Sequence, residues 1–122
     1  KIDANEAPTI NGDGTQAYDF IYVEDVARSN VLALRSESTD EFYNVGSGVQ
    51  TSIAKLCELI LTLKESDLKV TYRPYSEDDA RRMVQNRIGC PKKASKDLAF
   101  NYTYSLEQGL LKLIEWRNET KG

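Results

Sequence analysis

Apolar residues along this chain follow two rhythms, one with the period of a helix and one with the period of a strand. Val23, Val26, Ala27, Val31 and Leu34 recur at helical spacing, and Glu24 and Asp25 sit in the first turn, where the positive end of the helix dipole favours acids. A second helix has Ser52 or Thr51 as its cap, with Ile53, Leu56, Cys57, Ile60 and Leu61 on one stripe and Lys55 and Glu58 opposite. The last helix opens on Ser105-x-x-Gln108, a capping box, and runs Leu106, Leu110, Leu113, Ile114 and Arg117 down one side, with Trp116 near its end. A shorter helix is expected around Lys92 to Leu98.

The extended pieces are shorter. Phe42, Tyr43 and Val45 predict a strand that is apolar on both faces and ends in the Gly46-Ser47-Gly48 turn, the habit of a strand inside a parallel sheet. Leu68, Val70 and Tyr72 alternate with Lys69 and Thr71, so this strand should have one wet face, and Pro74 bars its continuation. Four helices and three extended pieces in mixed order, with no internal repeat, make the fold class mixed α/β.

Length and composition then bound the picture. A chain of 122 residues can bury roughly two-thirds of its unfolded surface, enough for one core, so residues 1–122 are read as a single domain. No apolar run approaches the ~20 residues that span a bilayer and no signal-peptide pattern opens the chain, so it reads as soluble and cytoplasmic, with no membrane partner. Sixteen basic against nineteen acidic residues argue against nucleic acid as a partner. The absence of histidine excludes histidine-based catalysis and argues against a zinc site, so no metal is expected. Cys57 and Cys90 have neither metal nor redox spacing, and a reduced, buried thiol is the simpler reading. Lys1 in place of an initiating methionine is read as the start of a processed, cut or tagged product.

The densest motif is Gly12-Asp13-Gly14-Thr15-Gln16-Ala17-Tyr18-Asp19-Phe20-Ile21-Tyr22-Val23-Glu24-Asp25-Val26-Ala27, a glycine turn followed by a short apolar run and a helix start. It resembles the signature that opens the substrate-binding part of NAD-dependent nucleotide-sugar epimerases and dehydratases of the extended short-chain dehydrogenase/reductase family, UDP-glucose 4-epimerase among them. All but one of the fixed places match, the exception being Tyr18, where arginine is usual. Phe42-Tyr43-Asn44-Val45-Gly46-Ser47-Gly48, then Thr51-Ser52, resembles the next block of that family, and Pro91-x-Lys93-Ala94, Leu98 and Ser105-Leu106-Glu107-Gln108-Gly109-Leu110 its C-terminal block. The family's catalytic Tyr-x-x-x-Lys and its Gly-x-x-Gly-x-x-Gly cofactor loop do not occur in these residues.

The resemblance implies the C-terminal part of such an enzyme without its N-terminal Rossmann half. It implies a nucleotide-sugar, a UDP-sugar first among them, as ligand, no catalytic or cofactor-binding residue in this chain, and NAD in the full-length enzyme. Such a piece is expected to be inactive alone. It is also expected to form a homo-oligomer, because the Phe42–Val45 strand would expose unpaired backbone groups. The alternative is a free-standing oligomerisation or binding module with no enzymatic role.

Candidate site residues carry two readings each. Gln16 either hydrogen-bonds the ligand, as the resemblance implies, or satisfies the turn. Tyr18 would meet the ligand with a neutral hydroxyl where an arginine is usual. In the resembling enzymes an arginine soon after the substrate-domain strand grips the diphosphate, which makes Arg73 the first candidate and Arg81 the second. The default meaning of the basic cluster Arg73, Arg81, Arg82, Arg87, Lys92, Lys93 and Lys96, interleaved with Glu77, Asp78 and Asp79, is a solvated face. Tyr72 and Tyr75 could stack on a base or sugar, though packing is the commoner role. Asn44 is read as a buried amide bracing the turn at Gly46 and Gly48.

Overall fold

A computed structural model describes residues 1–120 of the chain. They form a mixed α/β structure of five helices and five short strands that divides into two compact units. The first comprises Lys1–Tyr18 with Gln50–Arg87; the second comprises Asp19–Val49 with the chain from Ile88 onward.

In the first unit a single 3-10 turn, Ile2–Ala4, leads to β1 (Thr9–Asn11), and β1 pairs in parallel with β4 (Thr71–Arg73). The register sets Thr9 against Thr71, Ile10 against Tyr72 and Asn11 against Arg73. A second sheet has the order β3 (Gln50–Ser52), β2 (Ala17–Asp19), β5 (Asn86–Arg87), with β2 and β5 parallel and Tyr18 opposite Arg87. Between β3 and β4 runs α2 (Ile53–Leu63), started by Ser52, whose hydroxyl accepts the Lys55 N–H at 3.1 Å. Its apolar stripe faces inward, Leu61 buried and Ile53, Leu56, Cys57 and Ile60 half-buried. Ile10 and Ala17 complete the buried apolar set of this unit. The strand read over Leu68 to Tyr72 is displaced toward its end, because only Thr71–Arg73 meets β1 before Pro74 removes the next N–H.

One helix of this unit escapes the hydrophobic pattern. Helix α3 (Glu77–Arg82) buries none of its residues, so no apolar stripe announces it. Its signals are local: the Ser76 hydroxyl accepts the Asp79 N–H at 3.1 Å, three acids occupy the first turn, and Arg81 and Arg82 occupy the last.

The second unit is helical: α1 (Val23–Arg35), α4 (Lys92–Leu98) and α5 (Leu106–Thr120). Its core is Ala94, Leu98 and Phe100, with Ile21, Leu32, Tyr43 and Val45 packed against them. The capping box of α5 is formed, Ser105 N–H donating to Gln108 Oε1 at 2.9 Å and Gln108 N–H to the Ser105 hydroxyl at 3.2 Å.

Two expectations are corrected in this unit. Residues 42–45 form no strand; they alternate Tyr43 and Val45 toward the core with Phe42, 92 % exposed, and Asn44 away from it. Side chains hold this segment instead of a ladder. The Lys93 ammonium donates to the Phe42 carbonyl at 3.1 Å, pairs with Glu41 at 2.5 Å and lies over the Tyr43 ring. Helix α1 also presents the face opposite to its apolar stripe: Asp25 and Ser29 are buried, whereas Val23, Val31 and Leu34 are 69 %, 43 % and 87 % exposed. The hydrogen bonds of Asp25 decide that orientation.

Candidate functional site

A cleft of about 570 Å³ in the first unit gathers Gln16, Tyr18 and Arg73, together with Tyr75, Asp79 and Arg82. It is built from the β1–β4 pair. Because the register sets Asn11 against Arg73, the Asn11 Oδ1 accepts from the Arg73 Nε at 2.5 Å, and the Gly12 N–H donates to the Arg73 carbonyl at 2.8 Å. Gln16 is only 7 % exposed and fastens the same corner: its Nε2 donates to the Asn11 carbonyl at 3.1 Å, and its backbone carbonyl accepts the Ile53 N–H at 3.0 Å. The side chain of Gln16 thus satisfies the turn while lining the cleft.

The Tyr18 hydroxyl donates to the Val84 carbonyl at 3.0 Å. Arg81 lies outside the cleft lining, strongly exposed, with Glu77 at 3.9 Å across one helical turn. Its neighbour Arg82, placed by the sequence pattern among the solvated charges, lines the cleft instead. The half-buried ring of Tyr75 covers the glycine turn, and burial, followed by the neighbouring Tyr18, Asp13 and Asp79, pushes its hydroxyl above the ordinary tyrosine range. Tyr72, next to Arg73 on β4, is 55 % exposed.

The residues here do not fit a dinucleotide cofactor. Gly12 has a φ of +78°, open to glycine without strain, but a Cβ there would fall 2.2 Å from the Tyr75 ring. The hollow of the turn is therefore filled by Tyr75, and the Thr15 N–H that follows donates to Asp13 at 2.9 Å rather than standing free for a pyrophosphate.

In the second unit two carboxylates do the organising. Asp19 accepts the Ser47 N–H at 2.9 Å and hydroxyl at 2.6 Å on one oxygen and the Gly48 N–H at 2.8 Å on the other. A Cβ on Gly46 would come within 2.4 Å of that carboxylate, which is why the turn needs glycine there. Asn44, read as the brace of this turn, is exposed, and Asp19 performs the task. Asp25 accepts from the N–H groups of Thr103, at 2.9 and 3.0 Å, and Tyr104, at 3.0 Å, and from Arg28 at 2.8 Å. Burial alone would raise its carboxyl; the Arg28 guanidinium and the two N–H groups outweigh it and hold the pKa below the ordinary value. The sequence pattern showed Asp25 only as a first-turn acid, and no local signal marks a partner so far along the chain.

Both cysteines are free; Cys57 is half-buried on α2, whereas Cys90 is exposed, which corrects the buried reading for that residue. Among the described residues no helix is long and apolar enough to cross a membrane.

Fold and cleft together define a mixed α/β protein whose first unit carries a pocket lined by two arginines, Arg73 and Arg82. The model of the NAD dependent epimerase/dehydratase family matches residues 1–46. The chain is 32 % identical over 111 residues to a UDP-glucuronate 4-epimerase of Thermodesulfobacterium geofontis, covering 90 % of this chain and 33 % of that one. It is 28 % identical over 118 residues to human dTDP-D-glucose 4,6-dehydratase, covering 94 % of this chain and 33 % of the relative. Among solved structures, the UDP-glucose 4-epimerase of Thermotoga maritima with UDP-glucose superimposes with a TM-score of 0.88 at 31 % identity, over 98 % of this chain and 37 % of that one. The chain is similar to proteins of the NAD dependent epimerase/dehydratase family, and it spans about a third of the length of the curated relatives it matches.

Proposed function

We propose that this chain is the nucleotide-sugar-binding portion of an NAD-dependent epimerase or dehydratase, and that the cleft of the first unit receives the ligand's diphosphate. The observation that carries the reading is the cleft itself, which draws Gln16, Tyr18 and Arg73 from distant parts of the chain to one place. With its Nε engaged by Asn11, Arg73 is oriented to offer its remaining N–H groups to a phosphate, the bidentate geometry a guanidinium suits. Contacts to diphosphate, remote from the reacting sugar carbon, supply binding energy that orients the substrate.

In the whole enzyme NAD would accept and return the sugar's hydride; these residues contribute binding and orientation only. The isolated chain is therefore expected to bind without turnover. UDP-sugars stand first among ligands because the similar Thermotoga maritima enzyme carries UDP-glucose. Calorimetric titration of UDP-, GDP- and dTDP-sugars into the chain tests the reading. Saturable binding of one class, weakened about tenfold in Arg73→Gln, supports it; no binding at millimolar ligand, or turnover by the pure chain, refutes it.

One observation favours the second reading, a free-standing oligomerisation module. The exposed Val23, Val31 and Leu34 on α1 offer an apolar stripe to another surface, and a second copy of the chain brings an identical stripe. Light scattering across a dilution series separates the two: a monomer at high micromolar concentration removes the module reading.

A further inference from the structure

We infer that Tyr18 acts as a latch rather than a ligand contact, and that the second cationic arm of the cleft is Arg82, carried on α3. This rests on the reading of the cleft as a diphosphate site. The lining carries two arginines, Arg73 and Arg82, against one acid, Asp79. Among the described residues no carboxylate lies within ion-pair distance of either arginine, whereas the adjacent Arg81 is occupied by Glu77. Two guanidinium groups, one acid and a 570 Å³ hollow fit a doubly charged group better than a neutral one.

The two arms are held by different means. Arg73 stands on a paired strand and is oriented through Nε by Asn11, which Gln16 holds in turn. Arg82 ends a helix that buries nothing, so packing cannot place it. The Ser76 cap fixes where that helix begins. Its far end is fixed two residues past Arg82, where the Tyr18 hydroxyl donates to the Val84 carbonyl at 3.0 Å and the Ala17 N–H donates to the Gln85 carbonyl at 2.8 Å. Tyr18 lies opposite Arg87 in the β2–β5 pair, and the Gln85 Nε2 donates to the Thr15 hydroxyl at 2.9 Å, so the segment bearing Arg82 is bound to the rim of the cleft by the Tyr18 and Gln85 side chains and a short ladder, with the Tyr18 bond the one nearest Arg82. A phenol has one proton to donate, and Tyr18 has given it to Val84, which leaves none for a phosphate oxygen. Positive charge at this rim therefore comes from α3, and the latch sets where it stands. Tyr18 is in these terms a positioning residue and Arg82 a binding one.

A double-mutant cycle on the full chain, with UDP-glucose as calorimetric probe and inorganic pyrophosphate as the sugar-free control, tests this. Arg82→Gln should weaken both ligands about tenfold and lower the salt dependence of binding by about one charge. Tyr18→Phe keeps the ring and loses the latch; it should weaken binding several-fold in the parent chain, add nothing in the Arg82→Gln background, and add fully in the Arg73→Gln background. That pattern of coupling is one a general loss of structure would not produce. If Arg73→Gln weakens binding and Arg82→Gln does not, the inference falls while the site stands. Equal effects of Tyr18→Phe with and without Arg82 overturn the latch. A chain that binds neither ligand overturns both the inference and the site.

Discussion

Replacing Asp25 by asparagine should destabilise the second unit by about 3 kcal/mol, although the two side chains have nearly the same shape. The Asp25 side chain is fully buried, and its two oxygens serve Thr103 N–H, Tyr104 N–H and Arg28. Asparagine keeps one oxygen and turns an NH₂ toward a group that is itself a donor. It also leaves Arg28, which additionally donates to the Asn101 carbonyl and the Thr103 hydroxyl, without its counter-charge. Hydrogen bonds to charged groups are worth roughly 1.5–3 kcal/mol, and breaking one side of a buried ion pair costs about 3–5 kcal/mol. The Arg28 side chain is 38 % exposed and recovers part of its hydration, which places the expected loss at the lower end of that range. For a chain of this length 1 kcal/mol moves the melting temperature by about 3–5 °C, so a fall of about 10 °C or more is expected. The loss should also depend on pH. The folded Asp25 carboxyl lies below its ordinary value of 3.8, so its stabilisation is complete above about pH 4 and disappears as the pH falls through the folded value. Urea unfolding of both chains at pH 7 and at progressively lower pH reads the difference directly. A gap under about 1 kcal/mol at pH 7, or one that does not narrow in acid, would show that the Thr103–Tyr104 loop is held by something else.

Other expectations follow from single contacts. Gly46→Ala should cost about 1–3 kcal/mol in thermal unfolding, since its Cβ would meet Asp19 Oδ2 at 2.4 Å, and much less in an Asp19→Ala background where that oxygen is gone. Ser52→Ala and Ser105→Ala each remove a helix cap and should cost about 1 kcal/mol, additively because the caps lie in different units. Native Cys90, being exposed, should react with a thiol reagent well before Cys57, whose thiol burial, and then Glu58, pushes above the ordinary value; equal rates would contradict the placement of α2.

The helices with an apolar rhythm or a side-chain cap are legible in the order of residues alone, because both signals lie within a few residues of each other. Ser52 caps α2, and Ser105 with Gln108 starts α5, as their spacing implies. The family resemblance is legible for a related reason: the run from Gly12 to Ala27 is contiguous. Helix α3 carries the cap but not the rhythm, since it has no buried face to leave a period in the chain.

By itself, then, the sequence determined the class of fold, the family resemblance, and the residue types available to a ligand: arginine, tyrosine and amide, with no histidine. Tertiary structure decided which of them meet. The choice of Arg82 over Arg81 in the cleft lining depends on how an exposed helix is seated, and neighbours in sequence point about 100° apart on a helix. The outward turn of the apolar stripe of α1 depends on Asp25 finding two N–H groups contributed by residues 103 and 104. The presentation of Arg73 depends on a register that brings Asn11 beside it. Each of these is a pairing between positions far apart in the chain, and a sequence period or a local motif carries no information about such a distance until the chain has closed it.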